Sequence, residues 1–127
     1  MGSTFITIAN NIIYGGGPAA SIVGPALNHS WEGNIIFNTN GAGDMPAGSY
    51  MMIDPKLAKD ANGEYHLQKG SPAINASKGN YTSVIVDMDE QLRKSPLDIG
   101  ADEFSADVIK AGILKPADVG YMADKNK

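Results

Sequence analysis

The chain has 127 residues, enough for one domain with a modest core. Ten Lys and Arg against fourteen Asp and Glu leave a formal net charge of −4, which argues against a nucleic-acid partner, because phosphate binding calls for a basic face. There is no Cys, so disulfides and thiolate metal sites are excluded, and no apolar run approaches a membrane span.

Met1-Gly2-Ser3 reads as a start added to a longer frame, and the N-terminus has neither the basic region nor the apolar stretch of a signal peptide. Localisation is therefore left open. Strand chemistry follows, in the β-branched and aromatic runs Phe5-Ile6-Thr7-Ile8 and Asn11-Ile12-Ile13-Tyr14. Gly15-Gly16-Gly17-Pro18 breaks the chain; without a Lys or a GKS/T ending it is a turn and not a phosphate loop. The stretch 19–31 reads as a loop or a weak helix. Gly33 to Asn38 is the next strand.

NIIYG at 11–15 and NIIFN at 34–38 match at an offset of 23 residues. A period in the twenties is a solenoid signature, and the LxxLxL spacing of leucine-rich repeats is absent. The expectation is an all-β fold, a right-handed parallel β-helix segment with long loops. Its coils would lie about 4.8 Å apart, with Ile over Ile inside and Asn bonded to Asn at a turn. Tyr50–Ile53, Glu64–Leu67 and Val84–Val86 read as later strands, with Asn62-Gly63 as a turn. Residues 106–114, ADVIKAGIL, place Val108, Ile109 and Ile113 near one face and predict a short C-terminal helical cap, weakened by Gly112. Residues 122–127 read as a frayed tail, and 1–127 as a single domain.

DMDEQLRKSPLDIGADEFS at 87–105 holds six acids, two bases, and the chain breakers Pro96 and Gly100. These acids could bind calcium or act as an acid/base pair. The reading preferred from the residues is turn and cap chemistry, with carboxylates accepting backbone N–H groups and pairing with Arg93. His29, Glu32 and Trp31 could bond and stack on a sugar, against the plainer reading of a loop anchored by the sole Trp. His66 alternates with Tyr65 and Leu67 in a strand and reads as solvent-facing or satisfied. Two His without Cys predict no zinc site.

DPKL (54–57), NGEYHLQKGSPAIN (62–75), DMDEQLRKSPLDIGADE (87–103) and ILKPADVGY (113–121) occur in an order that resembles the C-terminal part of the β-helix domain of polysaccharide lyase family six, which contains alginate lyases and chondroitinase B. The resemblance covers roughly residues 50 to 121. Glu90 departs from it, since a DMDGQ-like turn would carry glycine there, which puts the local turn conformation in question. The resemblance implies β-elimination on uronate polymers by a Lys base and an Arg, often with calcium. It also implies a secreted or periplasmic parent. In the family those groups lie upstream of the matched segment, so no catalytic residue is carried over.

The expected function is thus a structural lyase-like segment, inactive alone. An alternative is a lyase whose site is completed across a subunit interface from His29, Lys69 and Arg93, and a third is a carbohydrate-binding module using Trp31 and tyrosines. His29, Trp31, Lys69 and Arg93 are the candidate substrate contacts for an anionic polysaccharide. No metal site is expected, calcium entering by resemblance only. A homo-oligomer is expected through an uncapped N-terminal coil.

Overall fold

The computed structural model describes residues 4–112 and residue 114. Residues 1–3, expected as an added start, residues 122–127, expected as a frayed tail, and most of the 113–121 match lie outside the described residues. Seven short strands form three small sheets: β1 (Thr7–Ala9) with β3 (Ser30–Glu32); β2 (Ile12–Tyr14), β4 (Asn34–Phe37) and β5 (Tyr50–Met52) in the order β2-β4-β5; and β6 (Leu57–Lys59) with β7 (Tyr65–Leu67).

The repeat seen in the side chains is also present in the backbone. β1 pairs with β3 and β2 with β4 in parallel, so that Ile12 meets Ile35, Ile13 meets Ile36 and Tyr14 meets Phe37. Isolated parallel bridges join Thr4 to Leu27 and Ala20 to Gly43 in the same register. Left-handed backbone recurs at matching places, at Phe5 and Asn28, Asn10 and Gly33, Gly15 and Asn38. Each pair turns the chain at the same corner of two stacked layers. Gly43 shows why one corner needs glycine: its φ is +62°, and a Cβ there would run into the carbonyl oxygen of Ala20.

An Asn pair locks the layers. Asn11 donates from its backbone N–H (3.1 Å) and its side-chain amide (3.0 Å) to Asn34 Oδ1, across an offset of 23 residues. Asn34 is fully buried, and its amide nitrogen donates to the carbonyls of Ile8 and Ser49. All four hydrogen-bonding positions of that amide are filled, which is what allows a polar group there.

This regular stacking is local, and the expected fold needs correction in two respects. First, the coil repeat does not run through the chain. β5 joins β4 in parallel at a shorter spacing, and then the direction changes: β6 and β7 form an antiparallel hairpin, with Leu57 opposite Leu67 and Lys59 opposite Tyr65. Val84–Val86 forms no strand beyond a single antiparallel bridge from Val86 to Leu92. The described chain is a set of short strands in small sheets, not an even solenoid.

Second, the helical cap is absent. Residues 106–112 are irregular, and there is no helix among the described residues. The N–H groups of Lys110 (2.9 Å) and Ala111 (3.1 Å) donate to the Asp89 carbonyl instead of to carbonyls one turn back. Tertiary pairing here outweighs a weak apolar periodicity interrupted by Gly112. Val108 and Ile109 are exposed, and Ile113 lies outside the described residues.

The apolar core is small. Ile35, Leu67, Ala73 and Ile99 form its centre, with Ile12, Leu57, Ile74 and Ala76 packed against it. It joins the stacked layers to the hairpin and to the 87–105 block. Gly100 donates its N–H to the Asn10 carbonyl at 2.9 Å, so the C-terminal block docks directly on the first layer. Buried polar and charged side chains outnumber buried apolar ones among the described residues. Hydrogen bonds to ionised groups therefore carry much of the specificity of this fold, at about 1.5–3 kcal/mol each.

Candidate functional site

Four of the acids in 87–105 are buried and accept backbone N–H groups. Asp87 takes those of Asp89 (2.9 Å) and Gln91 (2.8 Å) on one oxygen and that of Glu103 (3.1 Å) on the other. Asp98 takes Asn75 and Phe104, both at 2.6 Å. Asp102 takes Leu67 at 2.6 Å, and Glu103 takes Lys94 (3.3 Å) and Asp98 (3.2 Å). The block has almost no ladder of its own. Short side chains fold back onto nearby N–H groups and reach across to the hairpin and to the 71–77 turn region.

Arg93 completes the block. Its guanidinium donates to the carbonyls of Gly100 (2.5 Å) and Asp98 (3.3 Å) and stands 3.7 Å from Glu103, with both side chains 7% exposed. Expected as a substrate contact, Arg93 is instead a buried cross-link. A sugar carboxylate would have to displace Glu103 and two carbonyls to reach it. The other candidate contacts are dispersed. Lys69 is exposed on the turn after β7, closed by Ser71 N–H on the Gln68 carbonyl at 2.9 Å. Trp31 is half-buried in β3, opposite Ile8, and His29 is half-buried just before that strand. No hydrogen bond or ion pair joins Trp31, Lys69 and Arg93 to one another among the described residues.

Asp89 differs from its neighbours. It is buried, yet among the described residues no backbone N–H donates to its carboxylate. Its one close partner is His66 Nδ1, at 3.4 Å. Burial pushes its carboxyl above the usual value; the charge of His66 opposes this, while Asp87, Asp102 and Glu64 add to it.

His66 lies at the junction of two acid pairs. Its Nδ1 faces Asp89 and Asp102 Oδ1 (3.5 Å), and its Nε2 lies 3.8 Å from Asp60. That Nε2 is buried and has no hydrogen-bond partner. Asp60 closes the β6–β7 hairpin by accepting the N–H groups of Asn62 (2.8 Å) and Glu64 (2.9 Å). Burial acts to raise the Asp60 carboxyl, but these bonds together hold it below its ordinary value. His66, Asp89 and Asp102 each bring a ligand atom within 4.8 Å of the others, and so do Asp60, Glu64 and His66. A cavity of about 280 Å³ adjoins the first group, lined also by Gln91, Ser105 and Asp107.

Sequence reasoning missed this convergence, because hairpin pairing and the Asp102–Leu67 bond bring together segments far apart in the chain. The available signal was DANGEYH, an Asx turn placing a His two residues after Glu64.

A larger cleft of about 1180 Å³ is lined by Ile12, Tyr14, Leu57, Tyr65, Ile99 and Arg93, among others. Tyr14 lies 5.7 Å from Phe37 and 6.0 Å from Tyr65, centroid to centroid, and Lys59 Nζ sits 4.9 Å from the Tyr65 ring centre. A scan against family models, a search of curated proteins and a search of solved structures each found no match to this chain.

Proposed function

We propose that this chain is a non-catalytic scaffold segment related to the alginate lyases and chondroitinase B of polysaccharide lyase family six. One observation carries the reading. Asp87, Asp98, Asp102 and Glu103 are occupied by backbone N–H groups, and Arg93 by carbonyls and Glu103. β-Elimination needs a free base beside a group that neutralises the uronate carboxylate, and these five residues supply neither in this arrangement. The test is an assay of the pure chain on alginate and on dermatan sulfate, with and without calcium, following the ultraviolet absorbance of the new C4–C5 double bond. No product is expected. Turnover above a heat-treated control would overturn the reading.

The aromatic group favours a second reading, a glycan-binding surface. Tyr14 and Tyr65 are 49% and 44% exposed, enough to offer ring faces to a sugar. Asp87, Asp98 and Asp102 also line the adjoining cleft, so a neutral sugar suits it better than a polyanion. Oligosaccharide titrations followed by NMR test it: shifts at both tyrosines that vanish in Tyr65→Ala would support binding, and their absence would reject it.

A further inference from the structure

We propose that His66, Asp89 and Asp102 form a binding site for one divalent first-row transition-metal ion of the zinc class, with His66 Nδ1 and one oxygen of each carboxylate as ligands.

The site is more than a group of acids. Each of the other buried carboxylates in the block accepts backbone N–H groups. The Asp89 side chain is 5% exposed, accepts none among the described residues, and is directed at the imidazole. Burying an ionised carboxylate with only an imidazole beside it is costly, and a cation offsets that cost. Asp102 is divided in function: Oδ2 holds the Leu67 N–H, while Oδ1 stays turned toward His66 Nδ1. That bond fixes the position of Oδ1, as an outer hydrogen bond does for a metal-ligating carboxylate.

The second ring nitrogen fits the same scheme. A metal-bound His ordinarily donates its other N–H to a carboxylate or carbonyl, which sets the tautomer. Here Nε2 is buried, lacks a hydrogen bond, and faces Asp60 at 3.8 Å. A small rotation of the ring on metal binding would close that distance.

The ligand set selects the ion. One imidazole with two carboxylates suits zinc, cobalt or manganese better than calcium, which prefers oxygen alone. The adjoining cavity leaves space for water to complete the coordination shell. The ion would tie the β6–β7 hairpin to the 87–111 segment, independently of any glycan chemistry.

The test uses the full chain. Co²⁺ is titrated in and followed by its visible absorption, then displaced with Zn²⁺. Zn²⁺ binding to the unmutated chain is also followed by the ring ¹⁵N shifts of His66. The expected result is one equivalent bound with a change at Nδ1. Asp89→Asn should weaken binding at least about tenfold. This variant should fold normally, because Asp89 holds no backbone N–H with its side chain. His66→Gln should abolish binding. Three results would overturn the assignment: no binding to the unmutated chain, binding unchanged in Asp89→Asn, or coordination through Nε2 that depends on Asp60 and Glu64. The ring shifts decide the matter even if His66→Gln does not fold.

Discussion

The Asp98 carboxylate accepts the backbone N–H of Asn75 at 2.6 Å, and this bond helps the Ile99 N–H on the Ala73 carbonyl and the Ser77 N–H on the Leu97 carbonyl to join the turn region after the hairpin to the 87–105 block. Its second oxygen holds Phe104 at 2.6 Å. Asp98→Ala would leave both N–H groups without their acceptor in a buried setting. A loss of about 3–5 kcal/mol in unfolding free energy is expected by urea denaturation. Asp98→Asn should lose less, since its amide keeps one acceptor oxygen.

Asn34 provides a comparable test in the stacked layers. Asn34→Leu strands the N–H of Asn11 and takes a donor from the carbonyls of Ile8 and Ser49, and should cost roughly 2–4 kcal/mol despite the added apolar volume. Asn34→Asp should not rescue stability, because it aims a carboxylate at the carbonyls of Ile8 and Ser49. Thermal melts of the two variants side by side distinguish a need for the amide from a need for polarity.

Glu90 occupies a left-handed position, with φ of +57°, and is exposed. A glycine is the residue expected at this turn, and left-handed backbone is where glycine is favoured. Glu90→Gly should raise stability by roughly 1 kcal/mol, by removing the Cβ strain of that conformation. An unchanged or lower urea midpoint would mean that the turn relaxes in solution.

Tyr81 donates its hydroxyl to Glu32 at 2.5 Å. That hydrogen bond first, then burial and the charge of Glu32, raise its ionisation above the ordinary 10.0. Because the folded value is the higher one, the stabilisation is fully present below the ordinary value and is lost as pH rises through the raised one. A spectrophotometric titration should show a late tyrosine step that disappears in Tyr81→Phe. Glu32→Gln should shift that step down.

The sequence revealed the repeat, because Ile12, Ile13 and Tyr14 have chemical counterparts in Ile35, Ile36 and Phe37 that stack in register. It concealed β3, because Ser30-Trp31-Glu32 shares no chemistry with Thr7-Ile8-Ala9, its partner. That strand is set by backbone pairing and by left-handed corners at Asn28 and Gly33. The turn role of the 87–105 acids was legible from their spacing around Pro96 and Gly100. The position of His66 was not, since three non-local contacts determine it. The helix expected over 106–114 failed for the same reason: an N–H pairing with Asp89 that no local pattern encodes.

Amide hydrogen exchange tests the central claim, that these carboxylates are structural cross-links, most directly. Asn75, Glu103 and Phe104 lie outside the strands, so a surface-loop origin would give rapid exchange. The account predicts slow exchange at all three, close to that of Ile35 in the core, and selective loss of protection at Asn75 and Phe104 in Asp98→Ala. Rapid exchange at these amides in the unmutated chain would contradict it, and would free the acids for a catalytic or ligand-binding role.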